Sequence, residues 1–474
     1  MPAGLYAAGG GPQSPANTED SMLFTSTNPA TGIKIADYPE HTPAEVETIV
    51  ATASAAHKSW SALPASKRAE VLAKLGGLLE ERADTYATLI VGEMGKPFAE
   101  ARGEVVKAAG GAKHFAENAD KYLGDEPIPG TPGVIHYESL GVILGIMPWN
   151  LPFWQVLRFF IPTALAGNVV IVKHAETVQG SARAIEQVIR DAGAPAGVYT
   201  NLAIDRDKVA ALIADKRIAA ITATGSERAG RSIAEAAGKN GKKVVLELGG
   251  SDPFVVFDDA DFDKAVALGI TSRFSNNAQS CIAAKRFIVQ RSIYDKYVAA
   301  YAKAADGIAV GNPMDGATKL GPLAKPDILE TTKRQVADAV RAGGKVVTGG
   351  APVEGDGYFY KPTVITGLDP KSPIAFEEFF GPVALMFPFD TEEEAIALAN
   401  ITNYGLGGAV WSQDKEKAAR VAGKLEAGAV FVNDFVRSDA RAPFGGTKGS
   451  GFGRELGGLG ARELTNAKVI WTAA

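Results

Sequence analysis

Cys281 is the only cysteine in a chain of 474 residues. With no partner for an internal disulfide, it is either a small buried apolar side chain or a nucleophile. Its neighbours favour the nucleophile. Ser275-Asn276-Asn277-Ala278-Gln279-Ser280 is small and polar, suited to a loop or a helix start whose backbone N–H groups can face a thiolate. Upstream, Glu247 ends an apolar run and is followed by Leu248-Gly249-Gly250. Taken alone, a carboxylate ending a strand beside glycines is as readily structural as chemical.

Three other short runs place polar or turn-forming groups where predicted strands end: Pro148-Trp149-Asn150, Lys173-His174-Ala175-Glu176 and Thr224-Gly225-Ser226. In an open parallel sheet, ligands bind beyond those carboxyl ends. The fingerprint G-x-G-x-x-G is missing after the first strand, so no conventional dinucleotide-binding turn is read. Gly225-Ser226 before a helix could hold a phosphate at the helix N-terminus, or be only an N-cap. Lys173 by itself reads equally as a solvated strand-end charge. The glycines from Gly445 to Gly453 lack the order of a phosphate loop and a buried strand before them, which makes them a turn-rich wall.

The elements that must position these groups follow from periodicity. Strands at 142–147, 169–173, 198–202, 218–222 and 243–247 alternate with helices at 152–166, 178–192, 207–214 and 227–239, the pattern of a parallel sheet with crossover helices. A second α/β domain starts near Gly250, with a strand at Phe254–Phe257 and helices near 261–273 and 292–307. Ahead of the first strand lies a helical layer, opened by the capping box Thr42-Pro43-Ala44-Glu45 and continued over Pro64 to Ile90 and Pro97 to Tyr122. Residues 126–140 read as a projecting hairpin, and residues 1–20, rich in Gly, Ala and Pro, as a flexible N-terminal segment.

Composition excludes several classes. With 46% hydrophobic residues the chain can bury a large core, and 49 basic against 54 acidic residues, net charge −5, leave no basic stretch for nucleic acid or an anionic membrane. Met1 to Asp20 has neither a basic nor an apolar leader region, and no later run reaches transmembrane length, so a soluble cytoplasmic protein is expected. His41, His57, His114, His136 and His174 show no metal-ligand spacing, and no metal is expected.

Pro-Trp-Asn, Lys-x-x-Glu, Thr-Gly-Ser, Glu-Leu-Gly-Gly and Gln-Ser-Cys stand here in one order and spacing. They are followed by Glu377-Glu378-Phe379-Phe380-Gly381-Pro382, Asn403-Tyr404-Gly405-Leu406, Pro443-Phe444-Gly445-Gly446-Thr447-Lys448-Gly449-Ser450-Gly451 and Gly453-Arg454-Glu455. Over residues 22 to 474 this resembles the aldehyde dehydrogenase superfamily. The resemblance implies an α/β fold with an open parallel-sheet cofactor domain (21–123 and 142–249), a second α/β catalytic domain (250–440) and a small β oligomerisation arm (124–141 and 460–474). It implies that Cys281 attacks the aldehyde carbon and that Asn150 and the Cys281 N–H hold the resulting oxyanion. Hydride passes to a nicotinamide dinucleotide, and Glu247 activates the water that hydrolyses the thioester. Lys173 and Glu176 would hold the adenosine ribose. Ile146, Trp149, Gly225, Ser226 and Leu248 would surround the adenine half and its phosphates, and Glu378 and Phe380 the nicotinamide half. A carboxylate at Glu176 favours NAD over NADP by repelling a 2′-phosphate, while Lys173 softens that repulsion and leaves NADP possible.

Three departures from the common pattern bear on substrate. Arg158-Phe159 stands where many relatives have an aromatic followed by a lysine, so a guanidinium replaces an apolar wall and favours a substrate carboxylate. Leu-Pro-Phe-Trp-Gln-Val-Leu-Arg with Gly-Phe-Gly-Arg-Glu-Leu is similar to the short succinate-semialdehyde dehydrogenase branch. That resemblance adds Ser438 and Trp154 as substrate contacts and makes succinic semialdehyde the expected small-molecule aldehyde. Ala223 replaces a phenylalanine, and Lys-His-Ala-Glu a Lys-Pro-x-Glu. The alternatives are a broad-specificity aldehyde dehydrogenase, a CoA-acylating enzyme, which Glu247 opposes, and a non-catalytic protein on the same fold. The hairpin and the terminal strand Lys468-Val469-Ile470-Trp471 imply a homodimer or homotetramer.

Overall fold

Val142–Met147 and Val169–His174 are almost continuous apolar runs, and nearly every residue in them is buried. Strands of this kind need helices on both faces of the sheet, and here they have them. The computed structural model describes residues 22–472, so the flexible segment expected over residues 1–20 lies outside the described residues. The first sheet has six strands in the order Gly451–Phe452, Lys243–Glu247, Ile218–Thr224, Val142–Met147, Val169–His174 and Tyr199–Asn201. All its pairings are parallel except that of Gly451–Phe452 with Lys243–Glu247.

The chain builds outward from Val142–Met147 to one edge, then returns to that strand's other side with Ile218–Thr224. The strand order therefore reverses between these two neighbours, the place where ligands bind in open sheets of this type. Pro148-Trp149-Asn150 and Thr224-Gly225-Ser226 flank that crevice.

The second sheet has seven strands, ordered Lys345–Thr348, Thr363–Thr366, Val383–Phe389, Ala284–Gln290, Asp252–Val256, Gly407–Trp411 and Ala429–Val432. Only the first pair is antiparallel. Each sheet has its own core. Trp60, Trp154, Phe159 and Phe160 fill the first, and Phe254, Phe287, Tyr301 and Trp411 the second. In the third sheet, Thr465–Trp471 runs antiparallel to Gly133–Ser139 over seven residue pairs, with Glu126–Pro127 on the far side. No helix among the described residues is long and apolar enough to cross a membrane.

The helical layer matches its predicted start and differs inside. Thr42 and Glu45 exchange the two capping-box bonds at the head of Pro43–Ser61. The stretch from Pro64 divides into Ala65–Glu81 and Ala83–Met94, because Arg82 leaves the helical region (φ −102°, ψ 15°) and reaches Asp191. Gly92 sits inside the second helix, and the break comes at Gly95, a left-handed cap at φ 81°. The glycine-rich wall includes the edge strand Gly451–Phe452, too short to leave a period in the sequence.

Candidate active site

Cys281 lies on a turn between the helix Phe262–Phe274 and the strand Ala284–Gln290. Asn276, Asn277 and Ala278 ahead of it all have left-handed backbone, φ 57°, 53° and 61°. Three such residues in a row persist only where their surroundings fix them. Asn276 Nδ2 donates to the carbonyls of Asn150 (3.0 Å) and Gln279 (2.9 Å), and its backbone N–H to Glu100 (2.6 Å). Asn277 donates to Gly95 and Pro322 and accepts from Gly321. Asn150 closes the clamp with a 2.9 Å bond from Nδ2 to Gln279 O, which uses one amide hydrogen and leaves the other for an oxyanion.

Burial pushes the Cys281 thiol up, to about 12; Lys285 and then Arg158 pull it back, while Glu378 and Asp252 add to the rise. Lys285 is fully buried and donates to the carbonyls of Ser280 (2.9 Å) and Cys281 (2.6 Å), with its ammonium 3.5 Å from Glu378 Oε1.

Glu247 ends its strand buried, and neither carboxylate oxygen has a hydrogen-bond partner. Burial and the nearby Glu455 carboxylate push its pKa well above the ordinary glutamate value, against Arg158 and Arg454. The glycines around it are required by close approach. A Cβ on Gly445 (φ 154°) would lie 2.7 Å from Glu247 Oε1, and one on Gly250 2.5 Å from the Cys281 carbonyl. A Cβ on Gly249 would collide with the Glu378 carboxylate, which accepts the Gly250 N–H at 3.0 Å.

The crevice at the ends of the first sheet fits a dinucleotide. Ser226 caps the helix Glu227–Lys239, leaving its N-terminal N–H groups toward the crevice beside Gly225. Thr224 Oγ1 is buried there with no partner, an orphan that a ligand would satisfy. Leu248 packs on Gly230 of the same helix, and Ile146 is the last residue but one of the central strand. Trp149 and Phe380 meet edge to face at 5.9 Å, joining the first sheet's loop to the second domain's. Lys173 and Glu176 form an ion pair. The carboxylate read as repelling a 2′-phosphate is therefore matched by an ammonium, which removes the physical ground for preferring NAD.

Beside Cys281 is a cavity of about 80 Å³ whose lining includes Lys107, Trp154, Arg158, Ser438 and Phe444. The helix Trp154–Leu165 supplies two of these, and Glu104 fixes its start by accepting the N–H groups of Phe153 (2.8 Å) and Trp154 (2.9 Å). Arg158 is 3% exposed and paired with Glu455, equally buried, while its guanidinium lies over Phe444. The guanidinium read from the sequence as facing a substrate carboxylate thus already has a buried carboxylate partner. Trp154 Nε1 donates to Ser438 Oγ at 3.1 Å.

Comparison with known proteins gives the family. Residues 16–470 match the aldehyde dehydrogenase family. The chain is 45% identical to a probable NADP(+) succinate-semialdehyde dehydrogenase of Synechocystis sp., over 95% of this chain and 100% of that protein. The chain belongs to the aldehyde dehydrogenase family. This aldehyde dehydrogenase is also 42% identical to an NAD(P)+ succinate semialdehyde dehydrogenase of Escherichia coli, over 94% of this chain and 97% of that one. The crystal structure of succinic semialdehyde dehydrogenase from Streptococcus pyogenes with NADP+ superposes with a TM-score of 0.93 at 38% identity, over 95% of this chain and 100% of that one. The enzyme is an NAD(P)-dependent oxidoreductase of aldehydes, and the NAD preference read from Glu176 finds no support among these relatives.

In this aldehyde dehydrogenase, Trp154, Arg158, Cys281 and Ser438 share one cavity, and Asn150 is bonded to the thiol loop. Lys173 and Glu176 do not line that cavity; they stand at the end of a neighbouring strand. Sequence reasoning missed Glu104, Lys107 and Lys285. The first two look like an ordinary charged pair on a helix surface. Lys285 had a signal: a lysine, followed by Arg286, inside an otherwise apolar strand.

Proposed function

We propose that this enzyme oxidises succinic semialdehyde to succinate, using NADP in preference to NAD. The observation that carries the substrate reading is the cavity at Cys281, whose Arg158, Lys107 and Ser438 are donors suited to a carboxylate, with the Trp154 N–H orienting Ser438. Its one carboxylate, Glu104, is already bonded to Lys96 and two backbone N–H groups. The names of the relatives support the same reading.

Cys281 Sγ attacks the aldehyde carbon, and the free Asn150 amide hydrogen with the Cys281 N–H takes the oxyanion. The dinucleotide, when bound, supplies the hydride acceptor, held by Ser226, Gly225 and the end of the central strand on one side and by Glu378 and Phe380 on the other. Glu247 then takes a proton from the water that attacks the thioester. Its unpartnered, desolvated carboxylate has its pKa lifted toward the range that a base at neutral pH requires. For the cofactor, the Lys173 ammonium, paired with Glu176, is positioned to meet a 2′-phosphate. We also propose the division into cofactor (21–123 and 142–249) and catalytic (250–440) domains, and a homodimer or homotetramer formed through the arm.

The test is kcat/KM for succinic semialdehyde and for butanal, each with NAD and NADP. The expected result is a preference for the semialdehyde of about 10- to 100-fold, because butanal offers no acceptor to the remaining Lys107 hydrogens and the Ser438 O–H. NADP should be the better cofactor, and Lys173→Ala should shift the ratio toward NAD. Equal turnover of butanal would reject the substrate, and an unchanged cofactor ratio in the variant would reject the role of Lys173.

A further inference from the structure

The helix Phe98–Glu117 turns two charged residues three positions apart, Glu104 and Lys107, toward the same cavity. Their circumstances differ. Glu104 Oε2 is paired with Lys96 at 2.5 Å, both side chains almost fully buried, and Oε1 caps the neighbouring helix. Arg158, the other cation of the lining, has its charge matched by Glu455. Among the described residues Lys107 forms no ion pair. Its ammonium donates to Ser438 Oγ at 2.7 Å and lies 4.6 Å from the centroid of the Trp154 ring.

Ser438 Oγ thus receives two donors, the Lys107 ammonium and the Trp154 indole N–H. A hydroxyl oxygen has two lone pairs, and both are occupied, so its own hydrogen is the one valence left to offer. The cluster presents an ammonium with further hydrogens and an oriented O–H, the indole N–H being already used on Ser438. An anion satisfies such a set, whereas a neutral chain end leaves it unmatched.

We propose that Lys107, rather than Arg158, supplies the uncompensated positive charge that selects the distal carboxylate of the substrate, with Ser438 as its oriented donor. This rests on the semialdehyde-acid reading above. Arg158 then acts mainly to hold Glu455 and to shape the wall against Phe444.

The assignment carries a pH signature. Lys107 is exposed as a residue, but its ammonium is crowded against Ser438 and Trp154. The desolvation of that end, and next the Arg158 charge on the facing helix, push its pKa down to about 8, while Glu104 on its own helix and Asp439 on the segment opposite work against this and Arg437 adds to it. Lys107 is charged below that value and neutral above it. Affinity for an anionic substrate should therefore fall as pH rises through about 8, and affinity for a neutral aldehyde should not.

The experiment compares wild type, Lys107→Met, Lys107→Arg and Ser438→Ala with succinic semialdehyde and with butanal across that pH range, with melting temperature as a check on folding. In Lys107→Met, KM for the semialdehyde should rise about 10-fold or more with kcat little changed, and KM for butanal should stay the same. Lys107→Arg should restore binding and abolish the alkaline rise in KM, since guanidinium does not titrate there. An unchanged semialdehyde KM in Lys107→Met, or an equal rise for both substrates, would overturn the assignment. So would a wild-type KM for the semialdehyde that stays flat through the range, which decides the matter even if a variant does not fold. Wild-type enzyme that turns over butanal as well as the semialdehyde would instead reject the underlying substrate reading.

Discussion

A thiol held up at about 12 is a poor nucleophile at neutral pH, so what matters around Cys281 is the set of groups that pull it down. Lys285 is the strongest of them. It is fully buried and hydrogen-bonded to the Cys281 carbonyl, which fixes the ammonium near the sulfur and also near Glu378. An adjacent cation favours the thiolate, so Lys285→Met should raise the pH needed to ionise Cys281, and Lys285→Arg should recover much of the effect. The readout is the rate of alkylation by iodoacetamide against pH. The midpoint should move to higher pH and the rate at neutral pH fall several-fold; a profile superimposable on wild type would show that the ammonium serves only the fold of the turn. At this scale Cys281, Glu247 and Asn150 were legible as candidates because their types and order are local. Lys285 was half-legible, as a charge inside an apolar strand. Lys107 was not, because its meaning comes from Ser438, far away in the chain, and no spacing along the helix Phe98–Glu117 announces it.

At the scale of elements, the central question is what holds the loop Pro148–Phe153 and the helix after it. Part of the answer is Phe159, which occupies the position of the lost lysine and packs its ring on Gly145 of the central strand, where any Cβ would collide with it. The departure from the usual sequence is thus a packing feature. Another part is His174, the residue that departs from Lys-Pro-x-Glu. Buried at the end of its strand, it accepts the Ala175 N–H on Nδ1 at 2.9 Å, and Nε2 lies 3.0 Å from the Pro152 carbonyl. The Ala175 bond requires Nδ1 to be unprotonated, which puts the hydrogen on Nε2, donating to Pro152. Burial lowers the His174 pKa to about 4 from its ordinary value near 6.5. The unfolded chain therefore binds this proton at higher pH than the folded one. Folded stability from this group is fully present above about 6.5 and declines as pH falls toward 4, by up to about 3 kcal/mol. His174→Gln should flatten that part of the curve. Chemical denaturation midpoints at neutral and mildly acidic pH measure it, and an equal acid loss in the variant would assign the effect to other groups. Strand and helix positions in this region were readable from period alone. The ties between them were not, since a histidine in the sequence does not say which carbonyl it will meet.

For the whole molecule, the site is an assembly of segments that meet only in the fold. Glu247 and Asn150 come from the ends of the first sheet, Cys281 and Lys285 from the second, and Glu104 and Lys107 from the helical layer before either. The third sheet takes no part in this, and its composition argues for another purpose. It has three strands, one of them only two residues long, and such a sheet has little core of its own. Its edge strand Thr465–Trp471 leaves Val469, Ile470 and Trp471 at 58%, 43% and 58% exposure, with apolar side chains on both faces and a free row of backbone groups. An exposed apolar edge of this kind invites pairing with another chain, and here the most available partner is a second copy of the same strand or sheet. If the arm joins subunits, the double change Val469→Lys and Trp471→Glu should lower the mass measured by light scattering from that of a dimer or tetramer to a smaller species, with far-ultraviolet circular dichroism unchanged. Because Cys281, Lys285, Glu247 and the cavity residues Lys107 and Ser438 all lie in segments outside the arm, the dissociated enzyme should still form the covalent Cys281 adduct with iodoacetamide at its wild-type rate. A mass that does not change would place the subunit contact elsewhere. A lower mass accompanied by altered thiol reactivity would mean that the neighbouring subunit helps to shape the catalytic loop.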